Sequence, residues 1–331
     1  MLKSYIKNSI LFFLLSIGIA FPQEKNNENI IPRDTSYTLY SAAKKMYKKF
    51  PEARLVTDIL PSAVKVKKDI IYKRIGNRKL RLNVYYPAIK SGKYFPGILM
   101  IYGGGWRSGD ISLSIPMAER LAAKGFVTVT ADYRLSIEAL YPAAVIDLKT
   151  AVRWMRANAS EFHIDTDKIA AYGCSAGGEL AAFLGTTGNL KKFNQGEYLD
   201  HSSNVEAVVN VDGNLDFTDT NYTVPDSNPL KPTYAQLWLG SSFKENPKLW
   251  KEASPITYVT KNSPPQIFIN SAVPRFHAGR DLVIKLLNKY HIYSEVHTLP
   301  GTIHTFWLFQ PWFEETLRYT IEFLDKTFHK N

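Results

Sequence analysis

The chain of 331 residues has little of what commonly staples or anchors a protein. It contains one cysteine, Cys174, so no disulfide can form within it and stability must come from the core. No segment repeats, no tract is of low complexity, and nothing follows the pattern of a nucleic-acid-binding module. Beyond residue 20 no apolar run approaches the length needed to span a bilayer. Acidic residues are in deficit, 30 against 41 Lys and Arg, which gives a formal net charge of +11. Those basic residues are spread along the chain and densest at 44–81, a distribution compatible with an acidic polymer or an anionic envelope as neighbour. What is abundant is apolar content, 45% of residues, which excludes disorder and suffices for one large core.

The first twenty residues carry Lys3 and Lys7, then an apolar run from Ile10 to Ala20, with Gly18 and Ala20 at the positions a signal peptidase reads. Residues 1–20 are therefore expected to be a signal peptide, with the mature protein periplasmic or secreted and free of any membrane span; an uncleaved membrane anchor is the competing reading. Residues 21–60 read as an Asn-rich leader and an amphipathic helix over Thr35–Phe50. Residues 61–331 read as one domain.

Within that domain DIIYKRI and KLRLNVYYP, joined by Gly76-Asn77, predict a β-hairpin. Afterwards strand-like runs (GILMIY, FVTVTADY, KIAAYG, VEAVVNV, QIFI, YSEVHTL) alternate with helical segments. Apolar strands without period-two alternation, each followed by a helix, predict an α/β fold with a mostly parallel central sheet and helices on both faces. Residues 213–263, rich in Pro, Asp and Asn, are too long for a turn and are expected to form an insertion or lid, with Trp238 and Trp250 as its packing anchors.

Gly173-Cys174-Ser175-Ala176-Gly177 stands between a strand and a helix, the setting in which G-x-S-x-G exposes a serine nucleophile on a sharp turn. About 70 residues earlier, Tyr102-Gly103-Gly104-Gly105-Trp106 follows another strand, and consecutive glycines let backbone N–H groups turn toward an oxyanion. Gly104, Gly105 and Ala176 are the expected donors. Cys174 reads as a small buried residue rather than a reactive thiol. YGGGW, ADYRL, YPAAVIDLKTAVRWMRANA and YGCSAGG together resemble the bacterial feruloyl-esterase-like and hormone-sensitive-lipase-like branch of the α/β hydrolases, from about Asp69 to the C-terminus. The resemblance implies the α/β-hydrolase fold and a serine esterase needing no metal or cofactor. In one departure, Tyr102 replaces the histidine of the usual HGGGW, a residue that supports the loop.

A serine needs a general base, and His304, in the loop after YSEVHTL, occupies the place where the resembled family carries its catalytic histidine. The acid is not at the position implied, because QIFI runs into NSAVPRFHAGRD without the expected aspartate. Asp212, closing VVNVD, and Asp281, opening the following helix, are the two replacements; Asp216 and Asp219 are further candidates. Arg275 and His277, in the same stretch, and Trp106 are expected to face a substrate, with Tyr102 and Trp307 as other aromatics near the motifs. The resemblance points to exported carbohydrate esterases, so the expected partner is a carbohydrate ester, with an acetyl group the first expectation. A small-molecule carboxylesterase or lipase, or a non-catalytic binding protein of the same fold, are the alternatives.

Overall fold

A computed structural model describes residues 34–88, 92–188, 190–223 and 232–328; the expected signal peptide and most of the leader lie outside the described residues. The described chain begins with α1 (Leu39–Lys49), β1 (Arg54–Leu55), β2 (Val64–Ile75), β3 (Arg78–Pro87) and β4 (Phe95–Ile101). It continues through α2 (Ile115–Ala123), β5 (Val127–Ala131), α3 (Ala143–Ala157), α4 (Ala159–Phe162), β6 (Ile164–Cys174) and α5 (Ala176–Thr186). Then come β7 (Ala207–Val211), α6 (Thr220–Thr223), α7 (Tyr234–Leu239), α8 (Pro247–Glu252), β8 (Gln266–Asn270) and α9 (Arg280–Lys289). The last elements are β9 (Ser294–Thr298), β10 (Phe309–Gln310) and α10 (Trp312–Phe328).

Eight strands form one sheet in the order β2-β3-β5-β4-β6-β7-β8-β9. The hairpin β2–β3 turns at Gly76-Asn77, β3 meets β5 antiparallel, and every later pairing is parallel. In β4, β5, β7 and β8 every residue is buried, so both faces of these strands are covered. Helix α2 packs with α10, and α3 with α5. Asp147 on α3 is buried between Lys73 of β2 (2.8 Å) and the Arg134 fork (2.8 Å to each oxygen), which pins the loop after β5 to the helix that follows it. Among the described residues no helix is long and apolar enough to cross a membrane.

Two expectations shift. Helix α1 starts at Leu39, because Thr38 rather than Thr35 is its N-cap, in a capping box with Ser41. Its segment is also no detached leader: β1 pairs with β10, and Asp34 bonds Arg107 at 2.6 Å. The insertion, of which 224–231 lies outside the described residues, packs inward through fully buried Trp238 and Trp250.

Candidate active site

Ser175 sits between the end of β6 and the start of α5 with φ 56° and ψ −123°, a backbone region that side-chain-bearing residues rarely occupy. The turn is this tight because α5 crosses close over the strand ends: a Cβ on Gly173 would strike the Gly177 carbonyl, and one on Gly177 the carbonyl of Ile101. Only glycine fits at either place, which is why the motif has that spacing. Among the described residues no partner takes the amide N–H of Gly104, Gly105 or Ala176. The Ala176 N–H is the first of α5, where the helix dipole adds positive potential.

The Ser175 hydroxyl donates to His304 Nε2 at 2.8 Å, and His304 Nδ1–H donates to Asp212 Oδ2 at 2.9 Å. Asp212 is fully buried and His304 16% exposed, so the series runs from a shielded carboxylate to a serine at the surface of the site. Of the two acids left open, Asp212 is therefore the one brought to the histidine. Asp281 is 80% exposed and bonds Arg280 Nε at 2.8 Å, an ordinary first-turn acid of α9. Asp216 accepts from the N–H and hydroxyl of Thr218, and Asp219 precedes α6, its carbonyl taking the Thr223 N–H.

The stretch that lacks the aspartate holds the one supplied by β7. Asp212 Oδ1 accepts the Ser271 N–H at 2.7 Å and the Asn270 side-chain amide at 3.4 Å; Arg280 in turn donates to Asn270 Oδ1 at 3.1 Å. Phe276, which belongs to no motif, lies flat on the His304 ring at 3.7 Å between centroids and 9° between planes. Trp307 meets the same ring edge-on at 4.9 Å. Burial lowers the His304 pKa below its usual value, and the charges of Lys45 and Arg275 lower it further, against the opposing pull of Asp212. The imidazole is thus neutral and ready to accept a proton in near-neutral solution.

Three substrate-facing expectations need correction or placement. Trp106 is 4% exposed, stacked on Trp238 at 4.8 Å with its Nε1–H donated to Glu179 at 2.9 Å, so it braces the glycine loop instead of facing a ligand. His277 donates through Nε2 to the Ser271 carbonyl at 2.8 Å, which commits it to the loop that cradles Asp212. Arg275 is exposed, its guanidinium over Phe276, and stands near enough to His304 to act on its charge. Tyr102, in the place of the usual histidine, donates to Asp132 at 3.0 Å and stacks on Tyr133, whose hydroxyl donates back to the Tyr102 carbonyl at 2.8 Å. The ADYRL segment is therefore the support of the glycine loop. Cys174 is buried, with its thiol 3.6 Å from the Tyr172 hydroxyl and pushed up in pKa by burial.

A family model described as BD-FAE matches residues 82–275, which include the glycine loop, Ser175 and Asp212. The chain belongs to that family. Esterase LipC of Mycobacterium tuberculosis is 34% identical over 191 residues, 57% of this chain and 45% of its own length. Such curated relatives are about twice as long as the part they share with this chain. Among solved structures, a bifunctional GH43-CE protein of Bacteroides eggerthii is 28% identical with a TM-score of 0.67, covering 79% of this chain and 38% of that one. A thermophilic esterase from Thermogutta terrifontis is 27% identical with a TM-score of 0.65, covering 80% of this chain and 92% of that one. These likenesses establish the α/β-hydrolase fold for the BD-FAE member described here.

Proposed function

We propose that this BD-FAE protein is an exported serine esterase that removes a small acyl group, acetyl foremost, from a sugar hydroxyl of a poly- or oligosaccharide. The observation that carries the reading is the hydrogen-bonded series Ser175–His304–Asp212 beside three loop and helix amides that take no partner among the described residues. Ser175 Oγ attacks the ester carbonyl while His304 Nε2 takes its proton; the imidazolium so formed is stabilised by Asp212. The negative oxygen of the tetrahedral intermediate is met by amides among Gly104, Gly105 and Ala176. His304 then returns the proton to the departing sugar oxygen, and a water attacking the acyl-serine by the same route releases the acid. Two exposed side chains flank this centre: Arg275, and Tyr234, 48% exposed with its ring against Gly105. An aromatic face and a guanidinium suit a sugar ring and its hydroxyl or carboxylate groups. The likeness to a GH43-CE protein supports the same substrate class.

A small-molecule carboxylesterase is the second reading, favoured by relatives such as the Mycobacterium tuberculosis carboxylesterase NlhH, 34% identical over 110 residues. Acetate release from acetylated xylan, pectin and rhamnogalacturonan, measured beside hydrolysis of 4-nitrophenyl acetate, separates the two. Turnover of the nitrophenyl ester with no polymer deacetylated overturns the carbohydrate reading. Labelling by a fluorophosphonate that is lost in Ser175→Ala is the expected result for the nucleophile, and labelling that survives the substitution sinks it. Export rests on Lys3, Lys7 and the apolar run Ile10–Ala20. An intact Met1 on protein recovered from the cytosol overturns it.

A further inference from the structure

The imidazole of His304 is held on two sides as well as at its two nitrogens. Phe276 lies on its face, 9° from parallel, and Trp307 meets its edge at 83°. Trp307 is buried in the core. Phe276 is only partly buried and comes from a short turn, Pro274–His277, on which Pro274 and Arg275 are exposed and the Arg275 guanidinium lies over the phenyl ring at 5.0 Å.

That turn is tied down at every step. The Phe276 N–H donates to the Val273 carbonyl at 3.1 Å, the Asn270 side-chain amide reaches the Phe276 carbonyl at 3.5 Å, and His277 Nε2 donates to the Ser271 carbonyl at 2.8 Å. Just beyond it the Ala278 carbonyl accepts the Leu215 N–H at 2.9 Å, three residues after Asp212. Asn270 and Ser271 are also the residues that donate to Asp212. The same stretch therefore fixes the carboxylate at Nδ1 and lays a flat ring on the imidazole. The family match ends at residue 275, so nothing in it assigns Phe276 a part in the site.

Such a clamp matters most after the first half of the reaction. In the resting protein the imidazole is bonded to both Asp212 and Ser175. Once Ser175 is acylated its Oγ has no proton to donate, and only the Asp212 bond and the flanking rings keep Nε2 aimed at the reacting carbon. A water then attacks the acyl carbon while Nε2 takes its proton; the tetrahedral intermediate collapses by breaking the carbon–Oγ bond, Nε2 returns the proton to Oγ, and the carboxylic acid leaves. Building on the esterase reading above, we infer that Phe276 is a positioning residue for this second half: its ring holds the His304 imidazole in the orientation from which Nε2 activates water on the acyl-enzyme. Misplacement by about 1 Å at such a step can cost on the order of 100-fold in rate.

The test is pre-steady-state hydrolysis of 4-nitrophenyl acetate, in which the burst of nitrophenolate reports acylation and the later steady rate reports deacylation. Active sites are counted by fluorophosphonate titration, so unfolded protein does not enter the rates. Phe276→Leu keeps an apolar cover without a flat face. It is expected to slow deacylation by about tenfold or more and acylation by less than about threefold, so that kcat and KM fall together. Phe276→Tyr restores the flat face and should keep both rates within about twofold of wild type. A Phe276→Leu protein with wild-type deacylation, or with both steps slowed by the same factor, overturns the inference, as does a Phe276→Tyr protein as slow as Phe276→Leu; these results leave the esterase reading standing. Absence of any ester turnover together with an unlabelled Ser175 overturns that reading and this inference with it.

Discussion

Ser175, Asp212, Trp106 and Thr305 all hold positive φ without being glycine, and all four lie in the site or directly beneath it. Each such residue costs on the order of 1–3 kcal/mol, tolerated because the surrounding contacts leave no other conformation. For Asp212 those contacts are the Ser271 N–H and the Asn270 amide, so the carboxylate is fixed before a substrate arrives. Asp212→Asn is expected to lower kcat by about 10³- to 10⁴-fold by disturbing the His304 tautomer. Asp281→Asn, on the exposed helix start, should leave kcat within about twofold; equal losses in the two variants would refute the assignment of the acid. The depressed His304 pKa adds a pH test. Activity requires neutral imidazole, so the acid limb of kcat/KM falls below the ordinary histidine value of 6.5. Arg275→Ala removes a nearby positive charge and Phe276→Ala removes covering, and each should move that limb to higher pH. A limb that stays in place in both variants contradicts the stated causes.

Helix α7 is the element that ties the insertion to the chemistry. Trp238 stacks on Trp106, the residue after the three glycines, while Tyr234 covers Gly105, so the loop that offers its amides is backed by a helix over 100 residues away in sequence. Trp238→Ala should lower unfolding stability by about 3–5 kcal/mol through the cavity it leaves. It should also reduce kcat more than it raises KM, because the loop loses its backing; urea denaturation read beside steady-state kinetics checks both, and an unchanged kcat would detach the helix from the loop. Most elements were legible in the sequence because their signals are local: the Gly76-Asn77 hairpin, the buried parallel strands and the strand–Ser175–helix turn. The resemblance added His304, whose loop position has no local mark of its own. The inward anchors of the insertion, Trp238 and Trp250, were legible as large apolar residues in a polar stretch, but the attachment of α1's segment through Asp34–Arg107 and β1–β10 was not, since it depends on partners far along the chain. Trp106 misled for the same reason. An aromatic after a glycine loop fits a sugar platform as well as a buried brace, and only the position of Trp238 and Glu179 distinguishes them.

At the scale of the whole molecule, a chain with a single cysteine rests on its core, yet that core encloses charge whose protonation must track pH. Lys149 of α3 is buried, its ammonium donating to the Thr187 and Gly188 carbonyls at 2.9 and 3.3 Å, and burial with the nearby Arg153 charge lowers its pKa to about 7. Glu179 of α5 is buried with one oxygen on Trp106, and burial holds its carboxyl well above the usual range. The two act oppositely on stability. For Glu179 the folded pKa is raised, so its contribution is complete below about pH 4.5 and declines as pH rises. For Lys149 the folded pKa is depressed, so between about 7 and 10.5 the unfolded chain binds the extra proton and stability rises with pH. The difference in unfolding free energy between the wild-type protein and Lys149→Met isolates the second effect from tyrosines and Cys174, which titrate in the same window. That difference should climb from pH 7 toward 10.5 with a slope of up to about 1.4 kcal/mol per pH unit. Denaturant titrations at pH 7, 8.5 and 10 measure it, and a difference that stays flat across the three means that Lys149 is charged inside the fold.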